Sequence, residues 1–375
     1  MKTAFRFRSG TFVAVFIAAL GIVLLLVFSK AASDGIIRGL DYSVKMLVPS
    51  LFPFMLLSSF MIRSGASDSI GKMLSFMVKK LFCLPGEAAA AIFLSFTGGF
   101  PAGASCVKAL YQRKKLSSVQ AEQMMMFCVC SGPAFLITGV GTILMHNTVS
   151  GVILYSAQLI SGIILGIISG RIYKGSESPL GSQADEKNLN HKEGIGDSFI
   201  LACSDAAGSV LGLTAMVAAF NMIISVCSEL GIPKLLGGLI GLLSGDEYIA
   251  DKAFVILTEV TSACNEAVNS GCPLWVISLA VGFGGLCVHF QIFSILGNIK
   301  INKKRFFVFR AMNAFLSSVI VYTVCRFRQD TAEVFAQSGA VRAEVSSVSA
   351  VGACALIIMS IVFVLSIRRN GARRY

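Results

Sequence analysis

Apolar and polar positions follow one another along this chain in long blocks. Uncharged apolar runs, among them 11–28, 149–170 and 273–296, approach or exceed the roughly 20 residues that an α-helix needs to cross a bilayer. Basic residues collect in the short segments between such runs. The pattern predicts a chain of membrane-spanning helices joined by short polar connections.

Composition supports the same class of protein. The chain is 55% hydrophobic and 14% charged, whereas a soluble domain has about 25% charged residues. A net charge of +12 would indicate nucleic-acid binding in a soluble protein. Here most of the Lys and Arg fall on one side of the predicted membrane path, which is the positive-inside pattern. We therefore expect the lipid bilayer as a partner and no nucleic acid.

The predicted fold is all-α, with about eight transmembrane helices and two re-entrant hairpins in inverted repeats. A first span, 11–28, is followed by a loop of mixed charge and a second span, 46–62. Segment 70–83 is too short and too charged to span and predicts an interfacial helix. Segment 88–110 begins and ends beside basic clusters, so both ends belong on one side and the segment should turn back inside the membrane.

Five segments describe the domain organisation. The polar stretch 175–197 has the composition of a flexible cytoplasmic linker. The elements after it repeat the order of those before it, and the second hairpin enters from the opposite side. The predicted segments are 1–41 (first span and loop), 42–174 (first repeat), 175–197 (linker), 198–325 (inverted repeat) and 326–375 (external loop and C-terminal span).

The first hairpin contains the sequence Phe-Thr-Gly-Gly-Phe-Pro-Ala-Gly-Ala at 96–104. Three glycines and a proline in six residues interrupt a helix. A broken helix within a bilayer is tolerated where protein or a water-filled cavity satisfies the freed backbone groups, and transporters build substrate sites in this way. The alternative is a packing kink between close helices. A second break is predicted at 131–133, with a counterpart at 284–286.

An anionic substrate suits this hairpin. A half-helix starting near Gly103 presents free N–H groups and a positive dipole end, and Lys108 lies about one turn further on. Lys108 also fits a lysine that extends to the cytoplasmic surface, while Thr97 and Ser105 could add hydroxyl donors or bond their own backbone. The predicted substrate-binding residues are Thr97, Gly98, Gly99, Pro101, Gly103, Ser105, Lys108, Asn265, His289 and Gln291.

Two carboxylates mark the second hairpin. Intramembrane acids are costly and are functional candidates. We align 96–104 with 259–267, so that Glu259 and Glu266 flank the predicted break. Glu266 would begin a half-helix, where the dipole stabilises its charge, and Glu259 would end one, where the dipole favours the protonated form. Both are predicted to couple transport to an ion, and for Glu259 a packing role is the alternative.

Three motifs resemble a known family. They are Gly-Gly-Phe-Pro-Ala-Gly-Ala at 98–104, Pro-Ser-Leu-Phe-Pro-Phe at 49–54 and Phe-Gly-Gly-Leu-Cys-Val-His-Phe-Gln at 283–291. They resemble the sporulation integral membrane proteins of the YlbJ type, which carry the Gate, or nucleoside-recognition, membrane repeat. That family has a basic residue directly after Pro-Ala-Gly-Ala, where this chain has Ser105. The resemblance implies a role in sporulation and passage of dipicolinic acid into the forespore across its outer membrane.

Transport is therefore the first functional hypothesis, with dipicolinate, a small anionic metabolite, as substrate. A nucleoside or other small-metabolite carrier is the second, and a membrane scaffold without transport is the third. No catalytic order of nucleophile and base, Cys/His metal spacing or phosphate-binding glycine loop on a strand occurs in the sequence. We thus expect neither an enzyme nor a cofactor or metal, and the sequence does not specify an oligomeric state.

Overall fold

Every regular element that the structure describes is a helix. The computed structural model describes residues 9–173, 194–237 and 247–336. Five of its helical segments are long and apolar enough to cross a membrane, and shorter apolar helices accompany them. The prediction of an all-α, multi-pass membrane protein is confirmed.

The helices vary in length from 10 to 35 residues, and two π-helical segments interrupt the α-helices. The elements are α1 (Ser9–Val27), α2 (Ser29–Tyr42), the first π-helix (Ser43–Leu47), α3 (Val48–Arg63), α4 (Ala66–Phe82), α5 (Ala88–Gly98), α6 (Phe100–Gln112), α7 (Ser118–Phe127), the second π-helix (Ala134–Leu144), α8 (Thr148–Ile172), α9 (Ile195–Glu229), α10 (Glu247–Thr258), α11 (Val260–Asn269), α12 (Leu274–Phe283), α13 (Gly285–Leu296) and α14 (Lys303–Ala336).

The loop predicted between the first two spans is helical, and this prediction was wrong. Residues Ser29–Arg63 form one continuous helical segment of 35 residues, with the first π-helix in its middle. The charged residues that suggested a loop lie mostly on the outer side of α2, whereas its buried residues are Ala32, Gly35 and Gly39. Small residues spaced along one face let two helix backbones approach closely, and here α2 packs along α9.

Segment 70–83, predicted as an interfacial helix, lies within α4. Val78 and Phe82 are buried, while Met73, Phe76 and Met77 are exposed. Phe82 packs against α8, where a Cβ added at Gly166 would lie 2.6 Å from the Phe82 ring. α4 therefore has one face on the protein and one apolar face directed outwards, but its depth in the membrane remains a prediction.

The centre of the core is the end of α7 and the chain that follows it. Residues Met124–Cys130 are at most 1% exposed, yet the helix ends at Phe127 and residues 129–132 form no regular element. Buried backbone outside secondary structure needs other hydrogen-bond partners. These partners hold the unwound chain after α7 in place.

Several predicted segments fall wholly or partly outside the described residues. They are the first eight residues, most of the linker 175–197, the start of the acidic loop 244–251, and the C-terminal part from 337 onwards. The helix α14 continues to Ala336, so the beginning of the loop predicted at 326–345 is helical. The chain forms two compact units, Met1–Cys325 and Arg326–Tyr375, and everything described below lies in the first.

Candidate substrate-binding site between four helix breaks

The first hairpin breaks at Gly99. Its φ of 82° and ψ of −171° separate α5 from α6, and glycine adopts such a conformation without the steric cost of a Cβ. Pro101 follows in the first turn of α6, where its missing N–H breaks no helical hydrogen bond. The predicted break in 96–104 is confirmed. The membrane side from which the hairpin enters remains a prediction.

A second break, at Ser131 and Gly132, lies directly against the first. A Cβ on Gly132 would be 3.0 Å from both the Gly99 nitrogen and the Thr97 carbonyl oxygen. Neither glycine has room for a side chain on the side that faces the other. The two interrupted segments therefore cross backbone to backbone, and the prediction of a break at 131–133 is confirmed.

Gly103 lies one turn inside α6, so its predicted place at the start of the half-helix was wrong. The helix begins at Phe100 because a proline is accommodated in the first turn. A Cβ on Gly103 would overlap the Cys128 carbonyl oxygen, which also accepts a hydrogen bond from Ser95 Oγ at 2.5 Å. The absence of a side chain at Gly103 thus allows α6 to pack closely against the non-helical chain that follows α7. Lys108 lies about two turns from the helix start.

The third break is at Glu259, and the two acids have exchanged their predicted positions at the start and the end of a half-helix. Glu259 has an extended backbone conformation and is the N-cap of α11. Its carboxyl oxygens accept hydrogen bonds from the backbone N–H groups of Thr261 (2.9 Å) and Ser262 (2.6 Å). The dipole at this position stabilises a negative charge. Glu266, predicted to begin a half-helix, lies in the last turn of α11 and is 4.0 Å from Lys252.

The error has a physical cause. The alignment with the first hairpin placed the break between the two acids, within Val-Thr-Ser-Ala-Cys-Asn. None of those residues interrupts a helix as glycine and proline do. Glu259 interrupts the helix because its side chain satisfies the free N–H groups that follow, which is the role that polar N-cap residues play in general.

The fourth break is formed by Gly284 and Gly285, both with positive φ. A Cβ on Gly285 would lie 3.1 Å from the Thr258 carbonyl oxygen and 3.2 Å from the Glu259 nitrogen. The third and fourth breaks therefore cross backbone to backbone, as the first and second do. The predicted break at 284–286 is confirmed, and the four breaks form two crossing pairs.

These breaks surround one cavity, which has a volume of about 520 Å³ when its opening to the outside is included. Each crossing pair contributes to its wall, together with side chains of α3 and α9. Its lining residues are Leu47, Leu51, Met55, Gly98, Gly99, Phe100, Pro101, Ser131, Gly132, Phe135, Leu213, Val217, Glu259, Val260, Thr261, Cys287, Val288 and Gln291. A mostly apolar wall with a few polar groups is typical of a small-molecule site.

Five of the twelve predicted site residues line this cavity: Gly98, Gly99, Pro101, Glu259 and Gln291. The other seven do not. Ser105 is exposed, Lys108 is partly buried, Thr97 Oγ1 donates to the Phe93 carbonyl oxygen at 3.0 Å, and Asn265 Nδ2 donates to Tyr42 at 2.9 Å. The residues outside the lining are Thr97, Gly103, Ser105, Lys108, Asn265, Glu266 and His289.

His289 is a packing residue in this structure. It is 1% exposed, and its ring lies edge-on to Phe283, Phe306 and Phe307 at 5.0–5.3 Å between ring centres. Its Nε2 is 2.9 Å from the Phe283 carbonyl oxygen. That carbonyl belongs to the last residue of α12, so His289 supports the fourth break from behind.

Two polar groups of residues that line the cavity have no hydrogen-bond partner within the part of the chain that the structure describes. They are the Ser131 hydroxyl and the Gln291 carbonyl oxygen, both inaccessible to water in this structure. The Gln291 amide nitrogen has only a 3.5 Å contact with the Cys287 sulfur. Buried polar groups are almost always paired, so these groups are available to a bound molecule.

Sequence reasoning missed Arg310. This side chain is completely buried. It donates to the backbone carbonyl oxygens of Val129 and, at 2.8 Å, of Met126. The carbonyl groups freed where α7 ends are therefore held by an arginine from α14. A single arginine in an apolar run that is otherwise expected to span was the available signal, since such a charge needs a buried partner.

A second missed group is a polar network on α8, α12 and α14. Asn313 Nδ2 donates to Gln158 Oε1 and to the Gly282 carbonyl oxygen, each at 3.0 Å, and Ser161 Oγ donates to Asn313 Oδ1 at 2.6 Å. Gly282 lies just before the fourth break, so this network holds the end of α12 in place.

The fold is similar to that of CNTnw. CNTnw in an inward-facing substrate-bound state superposes with a TM-score of 0.55 at 12% identity, covering 82% of this chain and 83% of that chain. An outward-facing CNTnw variant gives the same TM-score at 13% identity, covering 84% and 83%. At this level of identity the comparison concerns the fold alone.

Sequence comparisons identify a particular relative. The chain is 24% identical over 329 residues to the sporulation integral membrane protein YlbJ of Bacillus subtilis (strain 168), covering 78% of this chain and 77% of YlbJ. Residues 44–147 match the Gate family, described as nucleoside recognition. The resemblance inferred from the sequence motifs is confirmed.

Proposed function

We propose that this protein is a sporulation-associated transporter that moves dipicolinic acid across the outer forespore membrane through the cavity between the four helix breaks. The observation that carries the proposal is the convergence of those breaks on one cavity. Interrupted helices at a membrane site free backbone groups for a substrate and allow two parts of the protein to move against each other. Similarity to YlbJ supports the sporulation context.

The cavity wall supports binding of a small polar molecule. A scaffold would be expected to pack its interior without free polar groups. Here Ser131 and Gln291 present an unpaired hydroxyl and an almost unpaired amide to the cavity. A substrate that accepts from the Ser131 hydroxyl and donates to the Gln291 carbonyl oxygen would satisfy both.

A dicarboxylate suits the start of α6. This helix has no side-chain N-cap, and its first residues, Phe100 and Pro101, line the cavity. A carboxylate placed there would gain the N–H groups and the positive end of the dipole. Glu259 lines the same cavity, and its charge would repel a dianion, so anion binding requires Glu259 to be protonated or paired with a cation. Coupling of transport to a proton through Glu259 is therefore part of the proposal.

A nucleoside carrier is the second candidate. An ionised Glu259 would accept hydrogen bonds from sugar hydroxyl or base N–H groups without needing a proton. The Gate family's description as nucleoside recognition favours the same substrate class. The protonation state of the Glu259 carboxyl group therefore distinguishes the dicarboxylate carrier from the nucleoside carrier.

Ligand-induced thermal stabilisation of the purified protein tests the proposal, because a ligand selective for the native state raises its stability by mass action. We expect stabilisation by dipicolinate, less by picolinate with its single carboxylate, and none by uridine or adenosine. Ser131→Ala and Gln291→Ala should weaken the effect, while Ser105→Ala, outside the cavity, should not. Stabilisation by nucleosides and not by dicarboxylates would favour the nucleoside carrier. Stabilisation by neither, with no flux into proteoliposomes, would favour the scaffold.

A further inference from the structure

We propose that Glu259, Ser262 and Asn221 form a cluster that holds one proton on the Glu259 carboxyl group and so links the second hairpin, α10 and α11, to α9. The assignment rests on positions and distances within the cluster. Its consequence for transport rests on the proposed function, whereas the protonation itself does not.

The three side chains are buried and in direct contact. Their exposed fractions are 1% for Glu259, 2% for Ser262 and 3% for Asn221. The Ser262 hydroxyl oxygen lies 2.7 Å from Glu259 Oε2 and 2.8 Å from Asn221 Oδ1. Both separations are typical of O–H···O hydrogen bonds.

The orientation of the Asn221 amide is fixed. Its Nδ2 donates to the Val217 carbonyl oxygen at 2.9 Å. Turning the amide over would bring its own oxygen against that carbonyl oxygen. The oxygen of Asn221 therefore faces Ser262, and Asn221 supplies no proton to this contact.

The number of protons available to these contacts then indicates that Glu259 must supply one. A serine hydroxyl has one proton and two lone pairs, but two acceptor oxygens contact it here. If Ser262 donates to Asn221, the contact with Glu259 Oε2 lacks a proton unless Glu259 is a neutral carboxylic acid that donates to Ser262. The neutral acid still accepts from the backbone N–H groups of Thr261 and Ser262 through its remaining lone pairs.

Among the described residues, the titratable groups that interact with Glu259 include Tyr42 on α2, Cys264 on α11 and Cys287 on α13. All three are uncharged when protonated.

Loss of the proton would change the cavity and the helix contact together. An ionised Glu259 requires the Ser262 proton for itself, which leaves Asn221 Oδ1 buried without a partner and removes the link to α9. The same event places a negative charge in the cavity wall. Proton binding therefore sets both the anion affinity of the cavity and the attachment of the second hairpin. Ser262 and Asn221 are positioning residues in this arrangement.

Infrared spectroscopy of the full-length protein in lipid, without substrate, tests the assignment. The carbonyl stretch of a buried protonated carboxyl group should be present near neutral pH and should vanish in Glu259→Gln. Asn221→Leu removes the acceptor that competes for the Ser262 proton, so Ser262 can stabilise the carboxylate. We expect the pH midpoint at which the Glu259 band disappears to be lower than in the unmodified protein.

Matched variants separate this effect from a structural one. Leucine makes the surroundings of Glu259 more apolar, which by itself would raise the midpoint. A lower pH midpoint of the Glu259 band in Asn221→Leu therefore supports the proposal, and a higher or unchanged midpoint overturns it. Ser228→Ala, also on α9 but with its hydroxyl bonded to the Ile224 carbonyl oxygen, should leave the midpoint unchanged, and Asn221→Ala replaces the leucine variant if that one does not fold. Absence of the band in the unmodified protein also overturns the proposal. A normal band shift without dipicolinate binding would refute the proposed substrate and leave this assignment intact.

Discussion

Individual residues at the breaks have two different reasons for their identity. Gly99 is required by its positive φ and by its contact with Gly132, whereas Gly103 has a helical conformation and is required by space alone. Glu259 interrupts a helix through hydrogen bonds of its side chain. Backbone conformation, packing space and side-chain capping thus each produce a feature of the cavity.

Replacing Gly99 by alanine tests its double role. Gly65 provides a matched control, because it also has a positive φ but nothing lies within 4 Å of the position that a Cβ would occupy. We expect Gly65→Ala to lower the free energy of unfolding by about 1 kcal/mol through backbone strain. Gly99→Ala should cost more and abolish ligand stabilisation, since its Cβ meets the Gly132 nitrogen at 3.2 Å. Equal effects of the two substitutions would show that the crossing of the breaks has no special importance.

A glutamine at position 259 tests proton coupling. Glutamine keeps the size of the side chain and a carbonyl acceptor for one of the two N–H groups, that of Thr261 or that of Ser262, but it cannot gain or lose a proton. We expect Glu259→Gln to insert and fold, to retain substrate binding and to lose the pH dependence of flux into proteoliposomes. Glu266→Gln is the control, because Glu266 lies outside the cavity and near Lys252. A full pH profile in the Glu259 variant would exclude the coupling role.

The sequence predicted glycine breaks well and the acidic break poorly. Gly99, Gly132 and Gly284 mark their breaks by residue type, because glycine and proline disfavour helix wherever they occur. Glu259 disfavours a helix only when its side chain reaches the N–H groups ahead of it, and this depends on the fold. The position of a side chain relative to a cavity also depends on the fold. The spacing of Lys108 from the break therefore suggested a site residue, whereas in the structure it lies outside the lining.

At the scale of elements, the contact between α2 and α9 is the largest feature that the sequence did not predict. Charged residues made 29–45 look like a loop, although their spacing leaves Ala32, Gly35 and Gly39 on one face. A Cβ on Gly39 would lie 2.6 Å from the Ala218 Cα, and one on Gly35 would lie 2.6 Å from the Asn221 carbonyl oxygen. α2 therefore supports the stretch of α9 that bears Asn221.

A leucine at Gly39 should separate these two helices. Overpacking of a tight contact typically costs about 1–3 kcal/mol, and a backbone neighbour cannot move aside as a flexible side chain can. We expect Gly39→Leu to lower the melting temperature and to weaken the pH dependence of transport, because Asn221 is displaced. Gly208→Leu, on α9 with nothing within 4 Å of its Cβ position, should leave both unchanged. If Gly39→Leu behaves like Gly208→Leu, the contact does not support the cluster.

For the whole molecule, the two crossing pairs of breaks are the main result. Gly99 crosses Gly132, and Glu259 crosses Gly285, with one pair in each half of the chain. The sequence predicted such a correspondence from the order of elements, even though the residues at the breaks differ. In the first half, the helix that starts at the break (α6) has no side-chain cap. In the second half, the corresponding helix (α11) is capped by Glu259. The two halves therefore contribute chemically different helix starts to the cavity.

Membrane topology is the last prediction and concerns the inverted-repeat arrangement itself. The basic clusters predict that both termini and the 175–197 linker are cytoplasmic, while the 244–251 loop and the segment near 338 are external. Single cysteines replacing Ser182, Ser244 and Ser338 on a background without the eleven native cysteines can be labelled with an impermeant maleimide. We expect labelling from outside at 244 and 338 and only from the cytoplasmic side at 182. Labelling of 182 and 338 from the same side would contradict the inverted-repeat arrangement, because the two halves would then share one orientation and a central cavity could not face each side in turn.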